Sequence, residues 1–182
     1  KAGRPQIFLS ATGPLITTVA AETADGFIMH PFSTESYIRK VNLPLITAGL
    51  DAVELERSDY TIDFSPLIAT GESDEAIEHA IEQVRGRIAF YGSTPGYRMV
   101  LELHGWGELQ SDLNRLMREH RTSEMAELID DEILHTFAIV GEHEKIAPEF
   151  KRRYGELIDR SAFLATGLSA ENTHSVISQL RL

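Results

Sequence analysis

The feature that most constrains the fold is a strand, a helix and a second strand packed into residues 6–31. Gln6 to Ala11 (QIFLSA) is short, apolar and strand-like. Thr12-Gly13-Pro14 ends it, and LITTVAAETA follows, with Leu15, Ile16, Val19, Ala20 and Thr23 on one face at helical spacing. Pro14 suits a first helical position, because its fixed φ is already helical and the N–H it lacks would find no partner there. Asp25-Gly26 stops the helix, and Gly26 to Pro31 (GFIMHP) reads as the second strand. A helical connection this short makes the two strands parallel neighbours with a right-handed crossover.

The alternation continues along the chain. Ser33 and Thr34 open a helical stretch with Tyr37, Ile38, Val41, Leu45 and Ile46 on its inward face, a kink at Pro44 and an end near Glu56. The third strand is Thr61 to Thr70 (TIDFSPLIAT), where Pro66 removes one ladder donor and predicts an edge or a bulge. Ser73 is a good N-cap, with Asp74 and Glu75 in the first turn and Ile77, Ala80, Ile81, Val84 and Ile88 at helical spacing behind it. From Gly92 to Asp159 the pattern is mostly helical, with breaks at Ser93–Gly96, Gly105–Gly107, Arg121-Thr122 and Gly141. Residues 92–159 therefore read as a helical insertion before the last strand. Ser161 to Thr166 (SAFLAT) is the fourth strand, and Ala170 to Leu180 forms a closing helix.

A chain of 182 residues supports one full core, so residues 1–182 are read as a single α/β domain. About four βα units make half of an eight-stranded barrel; the alternative is a small open sheet. In either geometry function sits at the carboxyl ends of the strands, in the segments starting at Ser10, His30, Thr70 and Thr166.

Charge and composition exclude several classes. With 17 basic and 28 acidic side chains the net charge is 17 − 28 = −11, which repels nucleic acid and anionic membranes. Lys151-Arg152-Arg153, the largest basic cluster, reads as a solvated last helical turn suited to the helix dipole. The chain has no cysteine, which removes disulfides, thiolate metal sites and a cysteine nucleophile, and fits a cytoplasmic location. No apolar run is long enough to span a bilayer. The chain begins at Lys1 and enters a strand within a few residues, so further sequence is expected ahead of it.

Ser10-Ala11-Thr12-Gly13-Pro14 carries the most chemistry. Small residues at the end of a strand meet free backbone N–H groups at the start of a helix, an arrangement that binds phosphate or serves as plain punctuation. His30 ends the second strand at the same rim and is a candidate substrate contact, as is Thr70 beside Gly71; a structural role is the alternative for each. Tyr91, Tyr97, Arg98, His104 and Trp106 read as a packed aromatic cluster, with the mouth of a substrate site as the alternative. Leu101 to Gly107 (LELHGWG) is similar to the oxyanion loop of α/β-hydrolases, but Gly167-Leu168-Ser169-Ala170-Glu171 lacks the second glycine of a nucleophile elbow. Glu132-x-x-His135 is a single copy of a pair that di-iron bundles need twice, and neither a zinc HExxH nor a P-loop motif occurs; no metal ligands are assigned. The acidic run Glu72 to Glu82 reads as a solvated helix face.

IFLSATGP, a helix and then ADGF at Ala24 to Phe27 resemble the fifth and sixth strands of the bacterial-luciferase-like oxidoreductases and monooxygenases. HPFSTESYIRKVNLP, ATGESDEA, IAFYGSTPGYRMVLELHGWGEL, DDEILHTFAIVG and RRYGELIDRSAF extend the resemblance, the last three toward the branch that uses coenzyme F420. It covers about Pro5 to Thr166 and implies the C-terminal half of a (β/α)8 TIM barrel that binds F420 or the flavin FMN. The resemblance further implies hydride transfer between the reduced cofactor and a small organic substrate. Ser10, Ala11, Thr12 and Gly13 are the cofactor-binding positions it implies, chiefly for the phosphate-bearing tail. No catalytic residue is assigned. Leu15 stands where relatives often have a basic residue, and Pro148 is expected to shift the start of its helix. The resemblance also implies a partner, either the N-terminal half-barrel or a second copy. A noncatalytic half-barrel that binds or assembles with another chain is the alternative function.

Overall fold

β1 (Phe8–Ala11) and β2 (Gly26–Met29) lie side by side and parallel in the computed structural model, which describes residues 3–164 and 167–181. α1 (Pro14–Thr23) joins them, with Pro14 in its first turn and Gly13 before it. Its inward face keeps only Ala20 fully buried of the five residues expected there. Thr17, Ala20 and Ala21 are buried, whereas Leu15 is 82% exposed. The reason is the close approach of α3 (Leu43–Ala52): a Cβ on Gly49 would stand 2.7 Å from the Ala21 Cβ and 3.0 Å from the Thr18 carbonyl oxygen. Backbones this close admit only small side chains between them, so the alanines turn inward and the larger residues turn out.

The stretch expected to kink at Pro44 forms as α2 (Glu35–Tyr37), one π turn (Ile38–Asn42) and α3. The Leu43 N–H reaches back to the Ile38 carbonyl, which winds an extra residue into the turn ahead of Pro44. The buried stripe keeps the expected Tyr37, Ile38 and Ile46, leaves the expected Val41 and Leu45 only partly buried, and takes in Asn42, Gly49 and Leu50.

β3 (Thr61–Phe64) pairs in parallel with β2 and completes the order β1-β2-β3. The expected strand Thr61–Thr70 divides at Ser65-Pro66. Its second part, β4 (Leu67–Ala69), pairs in parallel with β5 (Ala138–Val140) instead. Pro66 offers no N–H to continue the first ladder, so the chain changes partners there. β5 was not expected; three apolar residues after a helix are too few for periodicity to separate strand from helix. The expected fourth strand forms no ladder over Ser161–Leu164, and Ala165 and Thr166 lie outside the described residues. Its contact with β3 comes earlier, at a parallel bridge between Asp63 and Arg160. The Asp159 carboxylate fixes that contact by accepting from the Ile62 N–H at 2.7 Å and from Arg57 Nη2 at 2.8 Å.

Alternation divides the strand residues between two faces. Phe27, Met29, Ile62 and Phe64 pack with Ile38, Ile46, Leu50 and Tyr154 in one core under the helices. Ser10, Ile28 and Asp63 share a register on the other face, where Ile28 is 39% exposed. A second core joins α4 (Asp74–Gly92), α5 (Arg98–Leu103), α6 (Gly107–Arg118), α7 (Thr122–Glu127) and α8 (Asp131–Phe137) around Phe32, Ile88, Leu101, Leu113 and Phe137. α9 (His143–Tyr154) contains Pro148 without a shifted start, because Pro148 lies on the exposed face, where the carbonyl it leaves unpaired can meet water. α10 (Ala170–Leu180) packs on α9. Among the described residues, no helix is long and apolar enough to cross a membrane.

Candidate active site at the strand ends

A narrow cleft opens at the carboxyl ends of β1 and β2. It is small, about 10 Å³, and is lined by Thr12 and Gly13, by Met29, His30 and Ser33, by Tyr37 and Asn42, and by Gly96, Met99 and Val100. Gly13 has φ 100° and ψ 152°, a conformation that an L side chain resists. Its carbonyl accepts from the Thr17 N–H at 3.2 Å and the Thr17 hydroxyl at 2.9 Å, which fixes the first turn of α1. No side chain caps that turn and no acidic residue stands in it. The N–H groups of Leu15 and Ile16 have no partner within the helix and carry its positive end. Met99 Cε stands 3.9 Å from where a Gly13 Cβ would be, so it walls the bend without filling it.

His30 is held in one tautomer. Its Nδ1 accepts the Phe32 N–H at 3.1 Å, which leaves the ring proton on Nε2 as a free donor. Tyr91 and Tyr97 stand at 4.7 Å from its ring, and burial lowers its pKa from the ordinary histidine value, keeping the ring neutral. Phe32 stacks on Phe137 at 4.4 Å in the same cluster. His104 stacks on Trp106 at 4.9 Å, and its Nε2 lies 2.8 Å from the Thr34 hydroxyl, which also accepts the Tyr37 N–H. That contact ties the end of α5 to the start of α2. Burial lowers the His104 pKa, Lys40 adds to the effect and Glu132 opposes it.

The family model for luciferase-like monooxygenases matches residues 1–160. The chain belongs to that family. Uncharacterized proteins of Mycobacterium bovis and Mycobacterium tuberculosis are 36% identical to it over 177 residues, covering 97% of this chain and 52% of theirs. The chain therefore spans about half the length of the curated relatives it matches. Among solved structures, the coenzyme F420-dependent tetrahydromethanopterin reductase of Methanopyrus kandleri aligns with TM-score 0.74 at 16% identity, over 96% of this chain and 49% of that one. An F420-dependent secondary alcohol dehydrogenase gives 0.68 at 13%, over 98% and 50%. The EDTA monooxygenase of Chelativorans sp. BNC1 gives 0.60 at 13%, over 98% and 43%. The fold is that of a partial luciferase-like barrel.

Of the positions singled out in the sequence, this luciferase-like chain brings Thr12, Gly13 and His30 together. Ser10 is exposed on the opposite sheet face in register with Ile28, and Ala11 pairs with Met29 through the backbone. Thr70 ends β4 outside the cleft, 1% exposed, with its hydroxyl unpartnered. Arg98 pairs with Glu102 and Glu108 at the surface rather than joining the aromatic cluster. LELHGWG is helix and turn rather than strand, and Ser169 caps α10, so the hydrolase likeness falls away. Lys151-Arg152-Arg153 forms the last turn of α9; Arg152 and Arg153 bind Glu149 and hold its carboxyl down to about 2. Most of the Glu72–Glu82 acids are exposed, though Glu72 accepts from the Ser169 N–H and the Asn172 amide. No group of three His, Cys, Asp or Glu side chains among the described residues could hold a metal.

Sequence reasoning missed Asn42, 5% exposed and lining the cleft with its Oδ1 unpartnered. The signal was an asparagine in a buried helical stripe, hidden because the π turn brings it there. The largest concavity, about 800 Å³ between α9, α10 and residues 158–163, shares no residue with the cleft.

Proposed function

We propose that this chain is the cofactor-tail-binding, C-terminal half-barrel of a luciferase-like oxidoreductase that moves hydride between a reduced deazaflavin (F420) or flavin (FMN) and a small organic substrate. It acts as a single domain in the cytoplasm, with the mostly helical residues 92–159, which also supply β5, lying over the rim. The observation that carries this reading is the uncapped start of α1 behind Gly13, opening into the cleft that holds His30.

The start of α1 suits the phosphate of such a cofactor. Both coenzymes carry a phosphate on a polyol tail, and a helix N-terminus without its own carboxylate or hydroxyl cap suits that anion. The Leu15 and Ile16 N–H groups would hold the phosphate, while Gly13 lets it approach the backbone and Thr12 adds a hydroxyl; Ser10 and Ala11 set the strand end that aims the turn. When bound, the cofactor supplies the redox chemistry. His30 offers one fixed Nε2–H donor toward the substrate side, and Tyr91 and Tyr97 shield it from water. Thr70, buried outside the cleft, is assigned a structural role at the end of β4 rather than a substrate contact. The F420-dependent reductase and dehydrogenase folds favour the deazaflavin, and the EDTA monooxygenase fold keeps monooxygenase chemistry open.

The direct test titrates F420 and FMN into the protein with and without Gly13→Asp, with circular dichroism confirming that both fold. The substituted protein should lose binding. Equal affinity in both would overturn the role of this turn.

A second reading, a noncatalytic half-barrel that assembles with another chain, is favoured by the exposed apolar side chain of Ile28 on the open face of the sheet. The partner is the N-terminal half-barrel or a second copy. Sedimentation separates the readings: a homodimer favours self-completion, and a cofactor-free monomer counts against both.

A further inference from the structure

We infer that the concavity between α9 and α10 binds a free long-chain carboxylate, with the alkyl chain along the groove and the head group at Lys151 and Arg181. The groove shares no residue with the cleft beside Gly13, so this site goes beyond the proposed function and stands whether or not a cofactor binds there.

Size and lining come first. The groove measures about 800 Å³, within the roughly 300–1,000 Å³ of small-molecule sites. It exists because α10 is only lightly seated: Val176 is its one buried residue among those described. The next residue, Ile177, packs in neither core and faces the groove instead. Phe150 of α9, Ile158, Phe163 and Leu180 complete an apolar wall between the two helices. A concave wall of this kind suits a slender alkyl chain, and it leaves those side chains half in water while it is empty.

Charge is the second, independent observation. Lys151 and Arg181 are exposed where they line the groove, and neither pairs with a carboxylate among the described residues. The other two charges there are already engaged. The Asp159 carboxylate accepts from the Ile62 N–H and from Arg57, and the Arg160 guanidinium lies 5.4 Å from the Phe8 ring and 3.8 Å from Asp63. The groove therefore keeps two unpaired cations and no unpaired carboxylate, in a chain whose net charge is −11.

Together these features select the ligand. Lysine and arginine lay their stems along apolar surface and hold the charge at its edge, which puts the cations where an anionic head group would emerge. A neutral alcohol would leave both cations unused, and an alkylammonium would meet them as like charges. A short acid such as acetate would leave the apolar wall bare. An alkyl carboxylate satisfies the wall and the cations at once.

The experiment is calorimetric titration with octanoate, decanoate and dodecanoate below their micelle-forming concentrations, with decanol and decyltrimethylammonium as controls. Affinity should rise about three- to fourfold for each added methylene, and decanoate should bind about tenfold more tightly than either control. The double substitution Lys151→Glu with Arg181→Glu changes two exposed side chains; it should leave Tm unchanged and remove the preference for decanoate over decanol. Ile177→Glu places a carboxylate against the alkyl chain and should abolish decanoate binding, again with Tm unchanged because Ile177 belongs to neither core. Equal affinities along the acid series, a control that binds as tightly as decanoate, or unchanged decanoate affinity in the double variant would each overturn the inference. So would a homodimer that Ile177→Glu dissolves, because the occupant of the groove would then be a second copy. Loss of F420 and FMN binding would overturn the cofactor reading alone.

Discussion

The starts of α1 and α4 follow strand ends in the same molecule and are built in opposite ways. At α4 the chain supplies its own acceptors: the Ser73 hydroxyl takes the Ala76 N–H, and Asp74 and Glu75 stand in the first turn. α8 and α10 repeat that plan with Asp130 and Ser169 as caps. α1 has a glycine in place of the cap, a proline behind it and no acid in the turn. Glycine in place of a good side-chain cap costs only about a few tenths of a kcal/mol. α3, α5, α6, α7 and α9 also start without a side-chain cap, so it is the glycine at the end of a strand, beside the His30 cleft, that sets α1 apart for the proposed anion.

The comparison breaks most visibly at Gly13. Gly13→Asp places a carboxylate where the phosphate should sit and strains a positive φ, and should weaken F420 or FMN about a hundredfold in a fluorescence titration. Ser73→Ala is the mirror experiment. It should lower stability by about 1 kcal/mol in thermal or denaturant unfolding and leave cofactor affinity unchanged. If Ser73→Ala weakened the cofactor as much as Gly13→Asp does, the two helix ends would not differ in function.

Leu15→Arg should sharpen the contrast. Leu15 is exposed, so the new side chain displaces no core, and a cation beside the anion should tighten phosphate binding a few-fold at low salt while costing about 0.3–1 kcal/mol of stability at the positive helix end. Added salt should erase the gain.

The smallest effect is pH dependence across the aromatic cluster. The folded pKa values of His30 and His104 lie below the ordinary 6.5, so the unfolded chain takes up protons first as pH falls. Their contribution to stability is complete above about pH 6.5 and is lost progressively below it, toward the depressed folded values. A pH series of Tm should show the fall, and His104→Gln should reduce its slope while leaving the His30 part.

Much of this fold was legible because local chemistry and tertiary structure agree. Gly13-Pro14 starts α1, Ser73 starts α4, Ser169 starts α10, and the first two strands pair as their short connection requires. What was hidden depends on contacts distant in sequence. The inward face of α1 was decided by Gly49, the buried stripe around Asn42 by one extra residue in a turn, and β5 by an edge that Pro66 made available. The candidate site was half visible: Thr12, Gly13 and His30 announce themselves at strand ends, but Asn42 and Met99 join them only through packing.

The most direct measurement is an amide ¹H–¹⁵N spectrum of the labelled protein titrated with F420 or FMN. The account predicts that the largest shifts fall on the Gly13, Leu15 and Ile16 N–H groups and saturate with the binding curve, while the start of α4 stays still. Binding that leaves those three signals unmoved, or that shifts the end of α9 instead, would contradict it.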